Sequence, residues 1–200
     1  MSRKVFVMVI AGLMVFSLLV SAQTAAPAAA AAPSGFTAEF LKQLDDLESK
    51  TVKLAEAVPQ EKYSWRPGEG VRSVGEVYGH ITAGNYSFTR GLGVKVPAGL
   101  DLRNIEKVTD KAKIVAALKQ SFVDIRAGVG ALPAADLDKT VKLFGNDTSA
   151  RNALFGLSVH ISEHLGQSIA YARSVGVVPP WTAERQAQQA APKPAEPAKK

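Results

Sequence analysis

Cysteine is absent from the 200-residue chain, and that absence excludes three things at once. No lipid can be attached through a cysteine, so any export signal here does not belong to a lipoprotein. Disulfides are excluded, although an oxidising compartment would permit them. A thiolate-rich structural metal site is excluded as well. Stability must therefore come from an apolar core, from a metal, or from both. Histidine is nearly as scarce, with three residues in all: His80, His160 and His164. Strand signals are also few. Val141 to Phe144 reads as a short extended piece before a turn at Gly145-Asn146-Asp147.

Charge of one sign is not concentrated anywhere. The formal net charge is +6, but Arg3 and Lys4 supply two of those charges. The end of the chain supplies two more, through Arg185, Lys193, Lys199 and Lys200 against Glu184 and Glu196. What remains is scattered, without the clustered basic face of a nucleic-acid binder, so no nucleic-acid partner is expected.

Arg3 and Lys4 precede a sixteen-residue apolar run, Val5 to Val20, and Val20-Ser21-Ala22 supplies a cleavage site after Ala22. This layout is that of a secretory signal peptide over residues 1–22. A membrane anchor is the rival reading, since the run approaches the ~18 residues of a spanning helix; the small residues that follow favour cleavage. The protein is therefore expected to be periplasmic or secreted, meeting a membrane only through the uncleaved signal. Residues 23–35, rich in Ala and Pro, read as a flexible linker. Residues 182–200 carry almost no large apolar side chain and read as a disordered low-complexity tail. One patterned domain, residues 36–181, lies between them.

Four helical stripes run through that domain. Phe40, Leu44, Leu47, Thr51, Leu54 and Val58 alternate spacings of four and three until Pro59, which cannot supply a helical N–H. Ser73 and Glu76 form a capping box that opens a second helix through Val77, His80, Ile81, Gly84 and Phe88 to about Arg90. A third starts near Thr109 or Asp110, carries Val115, Leu118, Phe122, Ile125 and Val129, and stops near Pro133. The fourth runs from about Thr148 or Ser149 to Ser174, with Gly176 as terminator. The expected fold is all-α, a four-helix bundle. The links after the second and third helices, about eighteen residues each, are long enough to cross over or to carry function.

His160 and His164 are an i, i+4 pair, which stacks side chains on one helix face about 5–6 Å apart. Ala153, Leu157, His160, His164, Gln167 and Tyr171 follow the four-three spacing of a core-facing seam, and His80 holds the corresponding position on the second helix. Burying an unpaired polar ring costs on the order of 1–3 kcal/mol, so the rings need a common partner. Neutral imidazole suits Zn, Ni, Cu or Fe, and three nitrogens leave a position open, the pattern of catalytic sites. Hydrogen-bonded core histidines are the alternative that spacing alone leaves open. Gln167 and Tyr171 are placed to orient a ligating imidazole or to pack. Glu163 does not follow the first histidine directly, as the general base of an HExxH motif would, and reads as solvated. Trp65 and Arg66 read as a pocket mouth or a core lid, Pro179-Pro180-Trp181 as packing for the chain end, and Asn85 and Tyr86 as residues that approach the site.

The run His160-Ile-Ser-Glu-His164-Leu-Gly-Gln167-Ser-Ile-Ala-Tyr171 through Gly176 to Pro179-Pro180-Trp181 resembles the end of a DinB-like (YfiT-like) protein. Tyr63-Ser-Trp65-Arg66-Pro67, leading through Val71-Arg72-Ser73 and Glu76 to His80-Ile81, resembles an earlier stretch of the same family. The resemblance covers about Phe36 to Trp181. It implies a bundle with a long crossover connection and a divalent metal, Zn or Ni, held by His80, His160 and His164. Relatives include S-transferases and a maleylpyruvate isomerase that use low-molecular-weight thiols. The resemblance thus implies an exported metal-dependent enzyme that activates water or a thiol, of hydrolase or S-transferase type, acting on a small molecule. The alternative is a non-catalytic metal-binding or stress-associated module in which the metal stabilises the bundle. Export sets the chain apart from the thiol-using members. No catalytic residue is assigned, and assembly as a homodimer is left open.

Overall fold

The computed structural model describes residues 35–191. The expected signal peptide, all of the linker but Gly35, and residues 192–200 lie outside them. Helices α1 (Phe36–Ala57), α2 (Val74–Thr89), α3 (Lys111–Gly130) and α4 (Ala150–Ser174) form the bundle. A hairpin, β1 (Thr140–Leu143) with β2 (Asn146–Ser149), precedes α4, and α5 (Pro180–Ala190) follows it. Among the described residues no helix is long and apolar enough to cross a membrane.

Local chemistry sets the helix starts. Ser73 Oγ accepts from the Glu76 amide at 3.3 Å while the Glu76 carboxylate accepts from the Ser73 amide at 2.7 Å, the reciprocal pairing of a capping box. Asp110 and Ser149 cap α3 and α4 more simply, each side chain accepting from one amide, that of Lys113 and that of Asn152. The α1 stripe is buried from Phe40 to Val58, and the α3 stripe from Val115 to Val129. These faces meet around Leu44, Ile81, Leu118, Phe122 and Leu157 in one apolar cluster.

Side-chain pairs across the helices give the topology. Arg126 of α3 pairs with Asp45 and Glu48 of α1, and Lys119 with Glu56 at 2.6 Å, so α1 and α3 run antiparallel. Gly84 faces His160 and Phe88 faces Gly156, so α2 and α4 are also antiparallel. Asn85 reaches Ser121 and Tyr86 reaches Asp124, which makes α2 and α3 parallel. A parallel pair cannot be joined by a tight turn. The chain from Arg90 to Asp110 therefore returns along the bundle as the long crossover, and a 3-10 turn at Ile105–Lys107 packs on α2. Gly79 is what admits it: a Cβ there would lie 3.0 Å from the Glu106 Cα and the Ile105 carbonyl oxygen.

Three expectations need correction. The tail is helical as far as Ala190, where disorder was expected from Thr182. Pro180 occupies the first turn, where its missing N–H costs nothing, and the following Ala, Glu, Arg and Gln residues are good helix formers. Trp181 packs against the core beside it. The turn before α4 is centred on Phe144 and Gly145, both with positive φ (49° and 86°), and not on Gly145-Asn146-Asp147. The histidines of α4 sit at the edge of the buried seam, partly buried, while Leu154, Leu157, Ile161 and Leu165 form its floor.

Candidate metal centre

His80 projects from α2, and His160 and His164 from α4, into the groove between these two helices. One nitrogen from each ring lies within 4.8 Å of the others. The ring centroids are 5.1 Å apart for His80 and His160, 4.7 Å for His80 and His164, and 4.6 Å for His160 and His164. The His80 side chain is 26% exposed, and His160 and His164 are partly exposed, so the cluster lies near the surface between the two helices.

The hydrogen bonds orient the rings. His80 Nδ1 donates to Glu106 Oε1 at 2.8 Å, and Glu106 is held in turn by Arg72 Nε at 2.8 Å. His164 Nδ1 donates to Gln167 Oε1 at 2.8 Å, and the Gln167 amide donates to the Tyr171 hydroxyl at 2.9 Å. With Nδ1 protonated in both rings, the Nε2 lone pairs are left to ligate, the arrangement found behind metal-binding histidines. His80 Nε2 lies 3.2 Å from His160 Nε2. His160 Nδ1 is buried without a hydrogen-bond partner, so this ring, unlike the other two, has no group behind it to fix its orientation. Three imidazoles converging in this way can hold a metal ion.

Charge reinforces that fit. Burial holds the His80 imidazole below its usual pKa, against the opposing pull of its Glu106 hydrogen bond. Burial, followed by the neighbouring His164 and His80, pushes His160 down to about 4. Both rings are therefore neutral near pH 7, the state in which they ligate. Burial acts to raise the Glu106 carboxyl, but the hydrogen bonds from Arg72 and His80 bring it below the usual carboxylate range.

Gly84 lets the cluster close. A Cβ at that position would sit 2.2 Å from His160 Cε1 and 2.8 Å from Nδ1. Gly84→Ala is therefore expected to turn the His160 ring out of the cluster and lower metal affinity by about 10–100-fold, the range of changes that misorient a ligand. The far-ultraviolet circular dichroism should be unchanged. A titration with Zn matching wild type would contradict this.

The remaining expected residues fall in different places. Trp65 stands edge-on to Tyr171 at 5.4 Å, while Arg66 pairs with Glu76 at 2.7 Å. Glu163 is exposed. Asn85 and Tyr86 face α3 and do not approach the histidines. Sequence reasoning missed Glu106, which the crossover delivers from 26 residues away; the length of that link was the one available signal. A cavity of about 560 Å³ between the α2 N-terminus and the crossover includes Glu106 in its wall but none of the histidines. The histidine cluster is therefore separate from that cavity, with Glu106 touching both.

A four-helix bundle with three convergent imidazoles, two of them backed by hydrogen-bond partners, is a frame that could hold a metal ion. The DinB superfamily model matches residues 43–168. The chain belongs to that superfamily. A DinB-like protein from Bacillus cereus superimposes with a TM-score of 0.64 at 20% identity, over 70% of this chain and 93% of that one. A DinB-like protein from Bacillus subtilis gives a TM-score of 0.48 at 22% identity, over 70% and 94%. No curated protein matches the chain.

Proposed function

We propose that the protein is an exported metal-dependent enzyme, with Zn or Ni held by His80, His160 and His164. The observation that carries this reading is the pair of Nδ1 hydrogen bonds to Glu106 and Gln167, which leaves Nε2 of two rings free to ligate. A divalent ion at such a centre supplies Lewis acidity, making a nucleophile of water or a thiol near neutral pH. Glu106 and Arg72 fix His80, Gln167 and Tyr171 fix His164, and the partial exposure of the rings is what would let a small molecule reach the ion. Hydrolysis and S-transfer both suit this set of groups.

One observation favours the second reading, a non-catalytic metal-binding module. The carboxylate that touches the cluster, Glu106, is already committed to His80 and Arg72, so it is not free to move a proton.

Elemental analysis of untagged protein tests the centre. About one divalent ion per chain is expected for wild type and much less for His164→Ala; equal contents would remove the metal reading. Turnover of thiol-plus-electrophile pairs and of esters or amides, measured with and without chelator, separates the enzyme from the module. Activity indifferent to chelator would sink the metal-enzyme reading, and metal binding without any turnover would favour the module.

A further inference from the structure

Phe144 is the most exposed large apolar side chain among the described residues, at 68%. It is also the one non-glycine residue among them with positive φ, at 49°. Left-handed backbone is uncommon for a bulky side chain, and the first central position of this two-residue turn favours Asn, Asp or Gly. The residue therefore carries two unfavourable features, a strained backbone and a ring in water. Such combinations point toward ligand contacts.

Its position supplies the reason. The Phe144 ring meets Phe88 edge-to-face, with centroids 5.1 Å apart, and Phe88 lies 5.3 Å from His160. Phe88 stands one α2 turn beyond Gly84, against Gly156 of α4. The two phenyl rings thus continue the row of aromatic contacts from His160 out to the exposed hairpin tip. The hairpin that presents Phe144 is tied to the same helix as His160 and His164. Ser149 ends β2 and caps α4, and the Ala150 amide donates to the Lys139 carbonyl at 3.0 Å. The tip is therefore held in register with the histidines.

We propose that Phe88 and Phe144 form an apolar subsite for the ligand of the three-histidine centre. The substrate class this selects has a polar, metal-seeking head joined directly to an aromatic or similarly bulky apolar group. The inference rests on the metal reading above and goes beyond it, because it assigns Phe144 a role in specificity and none in ligation. Aromatic contact would favour the apolar-substituted ligand by roughly three- to tenfold.

The test compares benzohydroxamate with acetohydroxamate, two probes with the same metal-seeking head, on Zn-loaded full chain. Zinc content is measured first in every protein. Wild type should bind benzohydroxamate more tightly by that factor. Phe144→Asn should lose most of the preference while keeping its zinc, its acetohydroxamate affinity and an equal or higher thermal midpoint, since Asn suits the turn. Phe144→Tyr should retain the preference. Zinc bound with the same preference in wild type and Phe144→Asn, or no preference in wild type, overturns the subsite alone. Failure of wild type to hold zinc overturns the metal reading and the subsite with it.

Discussion

Stripping the divalent ion from metal-loaded protein is expected to lower the thermal midpoint by roughly 8–16 °C. An ion present at a thousand times its dissociation constant stabilises the folded state by about 4 kcal/mol when the unfolded chain does not bind it. A domain of this size shifts by about 2–4 °C per kcal/mol. The unfolded chain is a poor competitor, because His80 and His160 are 80 residues apart and only the His160–His164 pair is local. In His160→Ala the chelated and metal-supplied samples should melt together. Differential scanning calorimetry with and without chelator reads both, and a wild-type midpoint indifferent to chelator would count against a metal held at these rings.

The second large effect is expected at the centre of the core. Phe122 is fully buried on α3, the helix that packs on both α1 and α2. Phe122→Ala should cost about 3–5 kcal/mol, combining the lost transfer free energy of the ring with the cavity it leaves. Arg126, one turn further along, fixes α3 to α1 through Asp45 and Glu48, so collapse of the helices onto the cavity is resisted. Urea denaturation monitored by circular dichroism measures the change. A loss below about 1 kcal/mol would mean that the site repacks more freely than a close-packed core allows.

Much of this architecture could be read directly from residue spacing. The four-three stripes of α1 and α3, the Ser73–Glu76 box and the stop at Pro59 are local signals, and local physics decides them. The convergence of His160 and His164 was legible for the same reason, since residues four positions apart on a helix share a face. Depth was not legible. Spacing places the two rings on a seam but cannot say which neighbouring row, theirs or that of Leu157 and Ile161, turns furthest inward. Glu106 was invisible because its meeting with His80 depends on α2 and α3 being parallel, a property of the whole bundle. In the sequence Phe144 reads as the last residue of a strand, because a bulky aromatic is not what turn propensities place at a positive φ. The helix through Ala190 was missed because a shortage of large apolar residues was weighed above good helix formers behind Pro180.

The crossover has one further consequence, and it concerns the order of events in folding. Glu106 can reach His80 only after the chain has travelled back along α2, and His160 can reach it only after α4 has docked on the opposite side. Closing separations of this size is the slow part of assembling a domain. The ring pair on α4 could capture an ion early, but the three-ring site exists only once the topology is complete. An ion taken up by all three rings would therefore follow the closing of the bundle and would not template it, so a loaded centre would mark a chain that has finished folding.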